Sequence, residues 1–244
     1  RSRLVVGADG LRSVVVRRLD LVSRPPRLRK LALTARIRGF TIQGSRGELH
    51  LVPRGTIGIA PVGEGLANMT VVVTGDEMAR VAGGRAAYYD RVLEEEPRLK
   101  GATRVSAVQA TGPFDLPVRS AVVDGALLVG DAAGYYDPFT GQGIFRALRG
   151  AAAASDTADA ALRRGEMSIE ALMPYERARR RVFAPGERLQ RVIERFVAHP
   201  QLMRAAARVL ASRPAAADAL VAVTGDVLPV RTLWSGEMLS RLRS

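Results

Sequence analysis

One segment of the sequence combines residue types that suit a polar, partly anionic ligand. An apolar run over residues 126–129 ends at Gly130 and Asp131, and a glycine-containing turn beginning at Pro138 leads into a helical sequence. A carboxylate at the carboxyl end of a strand can accept hydrogen bonds from sugar-like hydroxyl groups. Small residues let a ligand approach the backbone, and a helix N-terminus presents free N–H groups to negative charge. We expect the ligand to contact Gly130, Asp131, Ala132, Pro138, Gly141, Gln142, Gly143 and Ile144.

The chain opens with a shorter segment of the same design. A strand-like run over residues 3–6, apolar from Leu4 onward, is followed by a turn that contains Asp9 and Gly10, and then by a helical stretch. Ser13 and Arg17 are four residues apart and therefore share one side of that helix. Because a buried strand followed by Asp-Gly is also ordinary turn chemistry, this segment by itself indicates no particular ligand.

Together the two segments resemble motifs of the superfamily of FAD-dependent aromatic hydroxylases and geranylgeranyl reductases. Residues 130–144 are similar to the second flavin-contacting motif, and the opening segment is similar to the middle motif. Residues 58–65 resemble a strand and turn of the superfamily's substrate domain. The order and spacing of the three also fit, and the resemblance covers roughly residues 2–165. It implies FAD as the cofactor and NAD(P)H as the reductant.

The resemblance also implies roles within both segments. The aspartate of the middle motif is associated with FAD and NAD(P)H in the superfamily, so Asp9, Gly10 and Arg17 are expected at the cofactor. The N–H groups around Gly143 and Ile144 are expected to face the pyrimidine edge of the flavin. No side chain is an obvious acid or base, so the catalytic residues stay unassigned and the flavin would carry the chemistry.

The residue at position 134 bears on the type of reaction. Aromatic hydroxylases usually have a histidine where Gly134 stands, and Asp137 to Gly141 are more similar to the prenyl reductase branch. We therefore expect hydride transfer from NAD(P)H through flavin to a small apolar, aromatic or isoprenoid substrate, with double-bond reduction slightly preferred. Hydroxylation by an FAD-dependent monooxygenase stays open, as does a non-catalytic basic binding module derived from a flavoprotein.

The sequence departs from the superfamily at its beginning. Members start with a βαβ unit whose G-x-G-x-x-G turn binds the FAD pyrophosphate, and no such turn occurs in this sequence. The stretch Gly63-Glu64-Gly65-Leu66-Ala67-Asn68 lacks the last glycine and lies between strands. Since the first residue is not Met, we expect a preceding segment to supply the site for the ADP half of FAD.

The apolar periodicity predicts an α/β protein with three parts. A partial, doubly wound FAD-binding domain would comprise residues 1–30 and 101–165, and an antiparallel substrate-binding sheet would comprise residues 31–100. A helical C-terminal region would follow over residues 166–244. Period-two alternation around residues 49–51, 57–59 and 69–73 indicates the sheet.

A long helix is expected after Gln142, and Gly165 has the position of a glycine that ends it. Steps of three and four residues place one set of side chains on a single helix face: Ile144, Leu148, Ala151, Ser155, Ala158 and Leu162. Farther along, prolines are expected to divide the C-terminal region into short helices: Pro174, Pro185, Pro200 and Pro214.

The composition excludes several kinds of site. The chain has no cysteine, which excludes disulfides, thiolate metal ligands and a cysteine nucleophile within it. His50 and His199 are the only histidines and lie on different predicted elements, so we expect neither a metal site nor a histidine-based triad. Since charged residues interrupt every apolar stretch, we expect no membrane-spanning helix. The predicted location is the cytoplasm.

The strong positive charge suggests one more partner. The formal net charge is +13, and Lys30 and Lys100 are the only lysines. Arginines cluster over residues 177–195, which fits peripheral contact with an anionic membrane that holds an apolar substrate. The alternative is a solvated helix face. No nucleic-acid partner is expected.

Overall fold

The computed structural model describes residues 2–27, 30–40, 46–52, 55–75 and 77–235. Its strands are β1 (Val5–Gly7), β2 (Lys30–Arg38), β3 (Glu48–Val52), β4 (Gly55–Gly63), β5 (Leu66–Thr74), β6 (Thr103–Arg104), β7 (Gln109–Thr111), β8 (Val122–Val123) and β9 (Ala126–Leu128). Its helices are α1 (Val14–Arg18), α2 (Glu77–Ala82), α3 (Arg85–Glu95), α4 (Gly143–Arg164), α5 (Ile169–Val197), α6 (Pro200–Ala211) and α7 (Pro214–Thr224). The expected α/β class, with an antiparallel sheet and C-terminal helices, is confirmed.

These elements form two compact units. The sheet unit spans Pro26–Phe114, and the split unit combines the residues up to Pro25 with those from Asp115 onward. This differs from the expected boundaries, which placed residues 101–114 with the FAD-binding domain. The structure places them in the sheet unit because β6 and β7 both pair with β2. Residues 166 onward were expected as a separate region, and they join the split unit because α5 packs on α4.

The sheet unit is an antiparallel sheet with strand order β3-β4-β5-β2-β6. Alternate side chains of its central strands are buried, which confirms the alternation at Ile57, Ile59 and Met69. In β3 the leucines face outward instead, and Leu49 is 49% exposed. The two ends of the unit are adjacent, since the Phe114 N–H donates to the Lys30 carbonyl at 3.3 Å.

Helix α3 closes one face of this sheet. The buried Tyr89 hydroxyl donates to the Met69 carbonyl at 2.8 Å and also contacts the Ala35 carbonyl at 3.3 Å. Burial raises the pKa of Tyr89 well above that of a free tyrosine. The side chain therefore stays neutral and ties α3 to the middle of the sheet.

The split unit contains a small sheet in the order β1-β9-β8. Strands β1 and β9 run parallel, with Val6 opposite Leu127. Helix α5 covers the sheet, where the buried Tyr175 hydroxyl donates to the Leu128 carbonyl at 2.6 Å. Burial raises the pKa of Tyr175 to about 12. The adjacent Glu176, which is also buried, accepts from the Ala121 N–H at 3.2 Å.

Helix α4 has the expected extent but not the expected buried face. It begins at Gly143 and ends at Arg164, with Gly165 in the left-handed conformation as predicted. On the expected face Ile144 is 78% and Leu148 69% exposed. The buried residues lie one position earlier in the repeat, at Gly150, Ala154, Thr157 and Ala161. These small residues let α4 approach α5 closely. The spacing of the alanines predicted the helical period correctly but did not identify which face of the helix is buried.

The prolines of α5 do not divide it. The helix runs unbroken through Pro174 and Pro185, contrary to the expectation of short helices. Both prolines are exposed, whereas Leu172 and Phe183 on the same helix are buried. Tertiary packing therefore outweighs the local cost of a proline, about 3 kcal/mol. In contrast, the prolines at positions 200 and 214 begin α6 and α7 as expected.

Within the residues described, no helix combines the length and apolar composition that a bilayer crossing requires. The longest helix, α5, has arginines throughout.

A glycine in β4 tests the geometry of the sheet unit. Gly55 has a φ of +146°, and a Cβ atom built there would lie 1.9 Å from the Val72 carbonyl oxygen. Gly55→Ala should therefore lower the free energy of unfolding by more than about 2 kcal/mol. Gly58→Ala in the same strand is the control, because its Cβ would meet only Leu49 Cδ1 at 3.7 Å. Hydrogen exchange of the β5 amides measures both, and equal protection in the two variants would contradict the geometry.

Candidate functional site

The parallel pairing of β1 and β9 brings the two expected motifs side by side. Gly7 lies opposite Leu128, and the Val129 N–H donates to the Gly7 carbonyl at 2.9 Å. The turns that follow the two strands, Gly10–Arg12 and Gly130–Ala133, pack against each other. Both turns therefore lie at the carboxyl edge of this sheet, where open α/β sheets bind their ligands.

A cleft lies beyond the end of β9, with about 350 Å³ of empty space that is partly open to solvent. Its wall contains five of the expected residues: Gly130, Asp131, Pro138, Gln142 and Gly143. Ala132 is fully buried beneath the turn. Gly141 is exposed beside the cleft. The Ile144 side chain points outward, so at position 144 only the backbone N–H could contact a ligand in the cleft.

Asp131 is the polar centre of this wall. Its carboxyl is half-buried, and among the described residues no hydrogen bond to that carboxyl is found. One carboxyl oxygen lies 4.0 Å from the Cβ position of Gly143, at the start of α4. Burial raises the pKa of Asp131, and the positive charge of Arg146 opposes that rise. Because no described residue donates to it, the Asp131 carboxyl can accept a hydrogen bond from a ligand hydroxyl.

The turn over residues 137–141, which precedes α4, is fixed by its own hydrogen bonds. The buried Asp137 side chain accepts from the Phe139 N–H at 2.8 Å. Gly141 is left-handed at a φ of +70°, and its N–H donates to the Pro138 carbonyl at 2.9 Å. This conformation brings the chain to Gln142, the residue immediately before α4. The N-terminus of α4, with its first N–H groups, therefore lies at the cleft.

Tyr135 and Tyr136 also line the cleft. Their backbone is held by a neighbouring segment, since the Leu116 N–H donates to the Tyr135 carbonyl at 2.7 Å and Asp115 N–H to the Tyr136 carbonyl at 3.1 Å. Burial raises the pKa of Tyr135, so its hydroxyl keeps its proton at neutral pH. Two tyrosines thus line the cleft together with its glycine-containing turns.

The residues expected from the opening motif lie elsewhere. Asp9 accepts from the Val14 N–H at 2.6 Å, and a hydrogen bond with Ser13 lowers the pKa of Asp9. Asp9 therefore caps the short helix α1. Gly10 is left-handed at a φ of +74°, and Arg17 is exposed on α1. None of the three is among the residues that line the cleft.

The C-terminal region contributes residues that the sequence did not indicate. Gln190 of α5 is 3% exposed, lines the cleft and donates its amide to the Asp137 carbonyl. Arg146 pairs with Glu187 and lies over the Phe183 ring at 5.2 Å. Glu187 and Gln190 are three positions apart on one helix, but a glutamate and a glutamine at this spacing do not indicate a site unless their partners are known. The two histidines are in different units, with His50 beside Glu48 and His199 beside the Arg195 carbonyl.

Proteins of known name are similar to this chain in sequence. A digeranylgeranylglycerophospholipid reductase from Methanosarcina acetivorans is 31% identical over 178 residues, which cover 70% of this chain and 43% of that protein. The reductase of the same name from Methanoculleus marisnigri is 30% identical over 72% of this chain and 45% of its own length. The chain thus spans less than half the length of these relatives. No model of a known protein family matches it.

Solved structures share the fold. A geranylgeranyl bacteriochlorophyll reductase-like protein from Thermoplasma acidophilum superposes with a TM-score of 0.69 at 22% identity, covering 99% of this chain and 58% of that one. The identity of 31% and 30% to the two reductases above, over more than two thirds of this chain, shows that the chain belongs to the geranylgeranyl reductase-like family of FAD-dependent oxidoreductases. A flavin-dependent brominase has the same fold, with a TM-score of 0.75 at 18% identity over 92% of this chain and 57% of its own. The shared fold therefore extends over the C-terminal helices of this chain, where the sequence carries no recognised motif.

Gln190 tests how the cleft turn is held. Gln190→Met keeps the length of the side chain but removes the donor to the buried Asp137 carbonyl. An unsatisfied buried acceptor costs about 1–3 kcal/mol, so we expect a loss of unfolding free energy in that range and faster hydrogen exchange at Gly141. Arg191→Met is the matched control, because Arg191 is exposed on the same helix. Equal exchange at Gly141 in both variants would remove Gln190 from this role.

Proposed function

We propose that the full-length protein is an FAD-dependent oxidoreductase that reduces an apolar substrate. The observation that carries the proposal is the half-buried carboxyl of Asp131. It lies at the end of β9 and beside the start of α4, and no hydrogen bond reaches it from the described residues. Burying a carboxyl without a hydrogen-bond partner costs free energy. A ligand with hydroxyl groups would supply that partner.

The residues of the cleft fit a flavin. Asp131 would accept from a ribityl hydroxyl, and the N–H groups at the start of α4 would stabilise negative charge on the ring. Gly130 and Gly134 have positive φ values of +57° and +126° and carry no side chain into the cleft. When bound, FAD would supply hydride transfer to the site. The protein groups would bind and orient the cofactor, and burial keeps the Tyr135 hydroxyl neutral.

Double-bond reduction is favoured over hydroxylation by two observations. The relatives similar in sequence are named as reductases, and Gly134 stands where aromatic hydroxylases usually have histidine. NAD(P)H is proposed as the reductant. Incubation of the full-length protein with NAD(P)H and an isoprenoid substrate under air decides between the reactions. A product two mass units heavier supports reduction, and a product that has gained one oxygen atom supports the monooxygenase alternative.

Replacing Asp131 tests the cofactor site. A hydrogen bond to a charged group contributes about 1.5–3 kcal/mol, so Asp131→Ala should weaken FAD binding by about ten- to a hundredfold. The melting temperature of the apo protein should stay about the same, because Asp131 makes no hydrogen bond of its own in the described structure. FAD titration and apo thermal melts of the full-length protein measure the two effects.

Asp124→Ala is the contrasting control for this experiment. The exposed Asp124 carboxyl accepts from the Ile169 N–H at 2.6 Å and so caps α5. Its loss should lower the apo melting temperature, as capping residues contribute about 1 kcal/mol, and leave FAD affinity unchanged. If Asp131→Ala behaves as Asp124→Ala does, Asp131 is structural and the flavin proposal loses its main support.

We further propose that the arginine-rich face of α5 contacts an anionic membrane. Several of its arginines are exposed: Arg177, Arg180, Arg181, Arg188, Arg191 and Arg195. Apolar side chains are exposed nearby in sequence, among them Leu202 at 46%, Val209 at 46% and Trp234 at 80%. Basic residues next to exposed apolar and aromatic ones suit the surface of a bilayer. An apolar substrate dissolved in that bilayer would then be delivered to the protein.

Vesicle binding tests the membrane proposal. The triple variant Arg188→Gln, Arg191→Gln and Arg195→Gln should bind anionic vesicles at least about tenfold more weakly, since each arginine contributes about 1 kcal/mol at such a surface. The control is the triple variant of three exposed arginines on α4: Arg149→Gln, Arg163→Gln and Arg164→Gln. An equal loss in both variants would show unspecific attraction, and the α5 face would then be simply solvated.

A further inference from the structure

The chain leaves the split unit and returns to it through two segments that are paired with each other. Pro25 is the last residue of the split unit before the sheet unit, and Asp115 is the first residue after it. The Ser23 N–H donates to the Pro117 carbonyl at 2.8 Å, and the Ser23 hydroxyl donates to the same carbonyl at 3.0 Å. The outgoing and returning segments of the split unit therefore lie side by side.

A partly buried ion pair joins these two segments. The Arg24 guanidinium donates to both carboxyl oxygens of Asp115, at 2.7 Å and 3.0 Å. The Asp115 side chain is 2% exposed and the Arg24 side chain 30%. Arg24 also donates to the Pro25 carbonyl at 3.0 Å. Two parallel hydrogen bonds between a guanidinium and a carboxylate fix the orientation of both groups, which a single contact does not.

The backbone at Asp115 has an uncommon conformation. Its φ is +70°, in the left-handed region that favours glycine. Aspartate and asparagine tolerate this region better than most other residues with a side chain. A residue keeps such a conformation when the contacts around it hold it in place. The two hydrogen bonds from Arg24 are contacts of this kind, so the ion pair fixes the direction in which the chain returns to the split unit.

The returning segment is hydrogen-bonded to one wall of the cleft. The Asp115 N–H donates to the Tyr136 carbonyl at 3.1 Å. Leu116 and Tyr135 pair in both directions, with N–H to carbonyl distances of 2.7 Å and 3.1 Å. Both tyrosines line the cleft, and Arg24 is not among the lining residues. Arg24 is therefore connected to the cleft wall through one carboxyl and three backbone hydrogen bonds.

We propose that Arg24 and Asp115 are positioning residues, whose ion pair fixes the segment that holds Tyr135 and Tyr136 in the wall of the flavin cleft. The inference rests on the proposed function. Removing one charge leaves the other group partly buried without its partner, which loosens the returning segment. The backbone pairing transmits this change to the tyrosines, so neither member of the ion pair has to touch the cofactor.

Hydrogen exchange of the full-length apo protein tests the positioning. Asp115→Asn keeps the size of the side chain and its tolerance for a positive φ but removes the charge. We expect exchange at the Leu116 and Tyr135 amides to become at least about tenfold faster. Asp20→Asn is the matched control, because Asp20 also has a positive φ, of +49°, and pairs with Arg119, but its side chain is 94% exposed. Equal exchange at these amides in the two variants overturns the proposal.

Arg24→Lys distinguishes local loosening from loss of stability in the whole split unit. Lysine keeps the positive charge but lacks the planar fork that binds both carboxyl oxygens. Exchange should become faster at the Leu116 and Tyr135 amides and stay at the wild-type rate at Ala154, which is buried in α4 of the same unit. Arg119→Lys, at the exposed ion pair, should change none of these rates. A rise of the same size at Ala154 overturns the positioning role.

The fluorescence of FAD bound to the full-length protein tests the link to the cofactor. Because a tyrosine ring close to a flavin quenches its fluorescence by electron transfer, Asp115→Asn and Arg24→Lys should each raise the fluorescence per bound flavin. Asp20→Asn should match the wild type. Wild-type fluorescence in variants whose Leu116 and Tyr135 amides exchange faster overturns the link to the flavin. If the full-length protein binds no FAD, the proposed function fails, and hydrogen exchange still decides whether the ion pair positions the cleft wall.

Discussion

The hydrogen-bonded pairing of β1 with β9 is the constraint on which the rest of the split unit depends. It joins two short strands that are far apart in the sequence and aligns the turns that follow them at one edge of the sheet. Tyr175 of α5 then binds the end of β9 through the Leu128 carbonyl. The cleft therefore has its position because three distant stretches of chain meet at one strand end. A local change in any of them moves the same turn.

The electrostatics of the cleft follow from a shared cation. Arg146 is held by Glu187 and by the face of Phe183, so its charge cannot follow a ligand freely. Asp131 lies in the wall of the same cleft, where burial raises the pKa of its carboxyl and the positive charge of Arg146 opposes that rise. The cleft thus contains a cation that is held in place before a ligand enters. A preorganised arrangement of this kind needs little rearrangement when charge on the ligand changes.

The sequence predicted the parts of the site that depend on local backbone chemistry. Asp131, Gln142 and Gly143 were expected from residue type and spacing along one stretch, and the structure places all three in the wall of one cleft. Gln190 and Glu187 could not be predicted, because glutamine and glutamate are common on helices and their partners, Asp137 and Arg146, are distant in sequence. The phase of α4 failed for a similar reason: alanines fill two adjacent faces, and only the approach of α5 selects one. The opening motif stays a prediction: Asp9 accepts from the Val14 N–H at the start of α1 and Arg17 is exposed, so neither lines the cleft.

The adjacent ends of the sheet unit have a consequence for the order of folding. Val6 and Leu127 are about 120 residues apart along the chain, and pairing them from an unfolded state closes a loop of that size. Once the sheet has formed, the contact between Lys30 and Phe114 shortens the remaining flexible path to about 35 residues. The entropy of closure then falls by about 1 kcal/mol, from its logarithmic dependence on loop length. The inserted sheet therefore favours a folding order in which it forms first and the two halves of the split unit pair afterwards at a lower entropic cost.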